Sequence, residues 1–153
     1  MTALALAERR IPAMTGDEIA RVRALEVLLK RLPQQDVPTD HMIHGGMYAR
    51  TVMIPAGVVI TGALIDVPTI LIVDGDATVN TGDGAARLTG YRVLAASAGR
   101  RQAFVAHADT HLTMIFATRA DDVAQAESEF TSEADLLLSR QPGATNHITI
   151  TGE

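Results

Sequence analysis

The chain has 153 residues, of which 47% are apolar, 3% aromatic and 20% charged, and its formal net charge is −5. That length suits one domain burying about 70% of its unfolded surface, and the apolar-to-charged balance excludes a wholly disordered chain. The absence of cysteine excludes disulfides, thiolate-bound zinc, iron–sulfur clusters and cysteine nucleophiles, and the basic residues are too dispersed for non-specific nucleic-acid binding.

Residues 1–14 show no clean period and read as an arm. Its Ala-Leu run is followed by Glu8, Arg9 and Arg10 and has no basic segment before it, the wrong order for a secretory leader. No apolar run reaches the roughly 18 residues that span a bilayer, so the expectation is a cytoplasmic protein without a membrane partner. Thr15 and Glu18 have capping-box spacing, and Ile19, Val22, Leu25, Leu28, Leu29 and Leu32 recur at helical intervals up to Pro33. Arg21, Arg23, Glu26 and Lys30 fall largely on the other face, which predicts a helix lying along apolar surface of its own barrel or of a partner. Pro38 and Gly45-Gly46 flank His41 and His44, so these histidines read as part of a loop bordering the barrel mouth, with Asp40 as a turn or cap residue.

From Gly45 to Ala117 the pattern changes to short β runs: Met47 to Ile54, Val58 to Ile65, Thr69 to Val73, Asp76 to Asn80, Ala85 to Thr89, Arg92 to Ala96, Gln102 to Ala106 and His111 to Ala117. Breaks fall at Pro55-Ala56-Gly57, Asp74-Gly75, Gly82-Asp83-Gly84, Gly90, Ala98-Gly99 and Ala108-Asp109. Short strands with a turn about every 8–12 residues and no helix between them predict a sandwich, jelly roll or small barrel. A second helix is expected from Asp121 to Arg140, with a break at Thr131-Ser132, and after Pro142-Gly143 the alternating His147 to Thr151 reads as a strand able to add to a sheet edge. The predicted organisation is one compact all-β domain: an arm and amphipathic helix over 1–44, a barrel over 45–118, and a helix and β-like tail over 119–153.

Tyr48-Ala49-Arg50, Ile54-Pro55-Ala56-Gly57, Thr61-Gly62, Asp74-Gly75-Asp76-Ala77-Thr78-Val79, Thr81-Gly82-Asp83-Gly84, Ala98-Gly99 and Ala106-His107-Ala108-Asp109-Thr110 together resemble the cupin superfamily. More narrowly they resemble small cupin-like proteins of bacteriophages and prophages, and the resemblance covers residues 44–118. It implies a cupin-like jelly-roll barrel and, for a phage protein, residence in the host cytoplasm. In that family a His-x-His…Glu motif and a Pro-x-Gly-x-x-His motif surround one divalent metal. The corresponding positions here hold Ala63 and Ile65, Pro68 or Thr69, and Gln102, so the expectation is no cofactor and no metal. Metal-dependent oxygenase, isomerase or oxalate chemistry is disfavoured on the same ground.

What remains for chemistry is His107, which closes one strand, with His111 opening the next; Tyr48 and Arg50 on one strand face; and Arg100, Arg101 and Gln102 after a glycine turn. An arginine facing the interior would hold a carboxylate or phosphate bidentately, so the ligand-binding candidates are His107, Gln102, Tyr48, Arg50 and Arg101. The leading expectation is a non-enzymatic barrel that binds a small anionic ligand or a protein partner as a homodimer or higher homo-oligomer. In a phage the settings would be virion assembly or sequestration of a host signalling molecule. Two competitors stand beside it: a metal-independent epimerase, isomerase or lyase using His107 as base and Tyr48 as acid, and a purely structural oligomer whose barrel is filled with side chains. An inward cluster of His107, Tyr48, Gln102 and an arginine would favour binding or catalysis, and a filled barrel would favour structure.

Overall fold

The computed structural model describes residues 9–80 and 84–153. The first part of the predicted arm and the turn at Gly82-Asp83 lie outside the described residues. In chain order the elements are β1 (Arg10–Ile11), α1 (Gly16–Leu29), β2 (Thr39–His44), β3 (Met47–Ile54), β4 (Val59–Thr61), β5 (Thr69–Asn80), β6 (Ala85–Ala96), β7 (Ala103–Ala106), β8 (Thr110–Ala117), α2 (Val123–Phe130), two 3-10 turns (Ala134–Leu136 and Leu138–Arg140) and β9 (Asn146–Ile150). This is a sheet-rich, jelly-roll-like fold with two helices. Among the described residues no helix is long and apolar enough to cross a membrane.

Period-2 alternation decides which faces meet. On β8, Thr110, Leu112, Met114 and Phe116 are buried, and on β3, Tyr48, Arg50 and Ile54 are. The strands run in the order β1-β6-β5-β8-β3-β2-β9, while β7 pairs with β5 and with β4 off that path. The long strand β5 pairs with β6 along its whole length but changes its other neighbour midway: Ile70 to Asp74 pair with β8, and Ala77 to Asn80 pair with β7. Gly75 lies at the change, with φ +147°, and a β-carbon there would sit 2.5 Å from Thr110 Oγ1 and 2.8 Å from the Asp109 carbonyl oxygen. Glycine therefore lets β8 approach closely at the point where β5 exchanges β8 for β7 as its neighbour. Leu71, Val73 and Val79 of β5 share one core with Leu88, Phe104, Leu112, Met114, Phe116 and Phe130.

Several expected boundaries shift. The runs predicted on either side of Gly75 are one strand, as are those on either side of Gly90, and Val58 to Ile65 keeps strand form only over β4. The segment read as a histidine loop is β2, closed onto β3 by Gly45 and Gly46, whose φ values of +58° and +72° fit a two-residue hairpin turn. Thr15 and Glu18 form the expected capping box on α1. Its apolar stripe is only partly used: Val22 is buried against Met14 and Ala103 with help from Ile19 and Leu25, while Leu28 and Leu32 are exposed. The second helix stops at Phe130, at the predicted break, and continues as the two 3-10 turns. The tail does form a strand, pairing parallel to β2 at the end of the sheet.

Candidate functional site

The inner face of β3 carries Tyr48 and Arg50, and the neighbouring β2 presents His41 to the same side. Residue α2 Glu127 reaches them because Val123, Ala126, Glu127 and Phe130 lie on one helical stripe facing the barrel. Arg50 donates to Glu127 Oε2 at 2.8 Å and to Ser139 Oγ at 2.8 Å, Ser139 Oγ donates to Glu127 Oε2 at 2.9 Å, and Arg140 Nε donates to Glu127 Oε1 at 2.9 Å. The Phe130 ring lies 6.4 Å from that of Tyr48 and 5.6 Å from the Arg50 guanidinium, so an aromatic and a cationic contact share one side chain.

Donor and acceptor roles follow around this network. The amide of Asn146 donates to the Ser139 carbonyl at 2.8 Å, which turns its oxygen toward His41 Nε2 at 2.7 Å. His41 Nε2 therefore carries the proton, and Nδ1 accepts from the Tyr48 hydroxyl at 2.7 Å. The same hydroxyl oxygen accepts from Arg50 Nη1 at 3.3 Å. Ser139, Asn146, His41, Tyr48 and Arg50 thus close a ring that ties β2, β3 and β9 to the last 3-10 turn. Burial holds His41 below its ordinary value and Tyr48 above its own. Burial alone would raise Glu127, but the hydrogen bonds from Arg140, Arg50 and Ser139 outweigh it and hold the carboxyl below the ordinary value. Such a set could pass a proton in principle. Here its members are His41, Tyr48 and Glu127 at 1%, 0% and 3% exposure, each already saturated with protein partners.

A second network surrounds Arg100. This side chain is 1% exposed and donates to the Ser97 carbonyl at 2.7 Å, Thr69 Oγ1 at 2.7 Å and Gln102 Oε1 at 3.2 Å. No carboxylate pairs with it among the described residues, and burial pushes its pKa down to about 10. Thr69 and Gln102 occupy two of the positions at which the cupin resemblance implies metal ligands, and they face a guanidinium. Ala63, Ile65 and Pro68 have no ligating side chain, and Gln102 Nε2 is a buried donor with no partner, the wrong polarity for a cation. The residues present do not fit a metal there. Elsewhere too, no three His, Asp or Glu side chains are grouped to hold a metal among the described residues.

The remaining candidates lie apart. Arg101 joins Glu26 of α1 to Glu133 of the C-terminal segment. His107 is exposed, with Nε2 2.7 Å from Thr78 Oγ1, and His111 is exposed on β8. His41 and His44 face opposite sides of β2, and His44 bonds Thr151 Oγ1 at 2.7 Å while exposed Asp40 lies 3.5 Å from His147. The five ligand-binding candidates therefore fall into separate networks: Tyr48 with Arg50, Gln102 with Arg100, Arg101 with two glutamates, and His107 with Thr78. Sequence reasoning missed Glu127, Ser139, Arg140 and Asn146. The signal for Glu127 was a carboxylate inside the stripe Val123, Ala126 and Phe130; the others carry no local sign. The surface concavities among the described residues include one of about 420 Å³ bounded by Val67, Pro68, Phe116, Ala117, Arg119 and Glu129 and another of about 220 Å³ along Ile70 and Val93.

No protein-family model matches the chain, and no curated protein matches it. Solved structures similar in fold include a cupin-2 domain protein from Shewanella frigidimarina, 12% identical with TM-score 0.44, covering 61% of this chain and 91% of that one. A cupin superfamily protein from Desulfitobacterium hafniense is 14% identical with TM-score 0.45, covering 60% and 87%. The salicylate 1,2-dioxygenase of Pseudoaminobacter salicylatoxidans, in its structure with gentisate, is 13% identical with TM-score 0.45, over 63% of this chain and 30% of that one. These are likenesses of fold.

Proposed function

We propose that this chain is a metal-free, non-enzymatic cupin-like protein that acts as a homo-oligomer through its surface, toward a protein partner. One observation carries this reading: α2 is seated on Tyr48 and Arg50 by the Arg50–Glu127 ion pair and the Phe130 ring, so the chain's own C-terminal segment occupies the place where a ligand would meet those side chains. A catalytic role for His107 with Tyr48 would need both at one reacting atom, yet one is on the rim and the other has no exposed surface. Of the two phage settings that the resemblance implies, the C-terminal segment seated on Tyr48 and Arg50 supports assembly over capture of a small molecule.

Light scattering at micromolar concentration should report at least twice the chain mass of 16.3 kDa. Elemental analysis, repeated after incubation with iron, manganese, nickel and zinc, should find no stoichiometric metal. A panel of small carboxylates and phosphates should leave the melting temperature unchanged. A monomer, or a small molecule whose stabilisation disappears in Arg50→Met, would overturn the reading.

A further inference from the structure

Among the described residues the sheet ends at β9, and nothing protects that edge. Natural edge strands are blunted by lysine, proline, bulges or inward charges; Asn146–Ile150 is regular and its one titratable side chain is His147. Thr39 N donates to Thr145 O, Thr151 N to Ile43 O and Gly45 N to Glu153 O, so the odd-numbered residues of the tail bond β2. The even-numbered residues therefore turn their N–H and C=O groups to the free edge. Ile148 and Ile150 are 53% and 47% exposed, although their β2 partners His41 and Ile43 are buried. Among the described residues no further strand lies beyond them.

We propose that the occupant of this edge is β9 of a second copy of the chain, paired antiparallel about a two-fold axis so that Ile148 faces Ile150 of the other copy and Thr149 faces Thr149. This rests on the homo-oligomer reading and names its interface. A two-fold contact must be self-complementary, and in this register both isoleucines meet isoleucines and threonine meets threonine, favourable cross-strand pairs. The even-numbered residues then form the hydrogen-bonded pairs, as their outward groups require. The charge pattern fits a copy as well: the chain carries −5 overall, yet along this strand no acidic side chain meets another. A specific interface buries roughly 800 Å² per partner, more than a five-residue strand pair supplies alone. Leu138, exposed and next in sequence to Ser139, whose carbonyl holds Asn146, is further apolar surface near this edge.

The chain has no cysteine, so single-cysteine variants test the register. At a non-hydrogen-bonded antiparallel pair the Cα atoms are about 4.5 Å apart, within the span of a disulfide. Thr149→Cys should become a disulfide-linked dimer for most of the sample under mild oxidation, and Thr151→Cys, about 14 Å from its own copy in this register, at least tenfold less. If the wild type scatters light as a dimer and Thr149→Cys does not crosslink in preference to Thr151→Cys, the interface lies elsewhere and this inference falls while the homo-oligomer reading stands. A monomeric wild type overturns both, and a monomer that crosslinks no variant but accepts a foreign strand at this edge does so too.

Discussion

Arg50 and Glu127 meet at 2.8 Å with side chains only 10% and 4% exposed. Removing one partner of such a pair leaves a buried charge unanswered, which typically costs about 3–5 kcal/mol. Glu127→Ala should lower the unfolding free energy by that order in urea titrations, and the double variant Arg50→Met, Glu127→Leu should recover most of the loss. A double variant no better than Glu127→Ala would count against the pair as the tie that seats α2. The same network sets an acid response. His41 is held below its ordinary 6.5 by burial, so the unfolded chain takes up a proton before the folded one does, and stability falls as the pH drops below about 6.5. Glu127 is held below its ordinary 4.5; its contribution is present above that value and is lost as the pH falls through the lower folded one. Urea midpoints measured from about pH 8 to 4 should decline from near 6.5 in the wild type, and His41→Asn should be flat across the upper part of that range. Tyr48 and Arg50 were legible as neighbours because alternation puts i and i+2 on one face. The ring they join was not, since His41 meets Asn146 across 105 positions and no local pattern encodes such a meeting.

Gly75 stands opposite Gly90 in the β5–β6 ladder. Each reads as a turn when the sequence is taken locally, because glycine marks turns and strand bends alike. The distinction lies in β8 and β7, which take over from one another at this point and are remote in sequence. Gly75→Ala must displace Thr110 and the Asp109 backbone and should destabilise by about 2–4 kcal/mol. Gly90→Ala has φ +75° but nothing within 4 Å of the added carbon, and should cost about 1–2 kcal/mol. Thermal denaturation of the two variants separates crowding from backbone strain; equal losses would mean that the close approach of β8 at Gly75 is dispensable. The helices show a related limit. The capping box of α1 was legible because it is local chemistry, whereas its full apolar stripe promised a burial that only Val22 achieves. What covers a helix depends on where the chain returns, and Arg101 holds this one by Glu26, leaving Val27, Leu28 and Leu32 exposed.

At the scale of the molecule the all-β class and the strand-forming tail were legible from periodicity. The destination of the C-terminal segment was not, because its Glu127, Ser139 and Asn146 acquire partners only once the barrel exists. Both ends of the strand order come from segments outside the central barrel region: β1 pairs parallel with β6, and β9 parallel with β2. Strand β5 holds the opposite position, with neighbours on both sides for nearly its full length. Its amide protons have no route to solvent short of separating it from β6 on one side and from β7 and β8 on the other. In deuterium exchange the amides of Leu71, Val73, Ala77 and Val79 should therefore be the slowest, released only by global opening. The outward amides of Ile148 and Ile150 should exchange rapidly in dilute solution and slow as protein concentration rises, and rates there that ignore concentration would show an edge left to water.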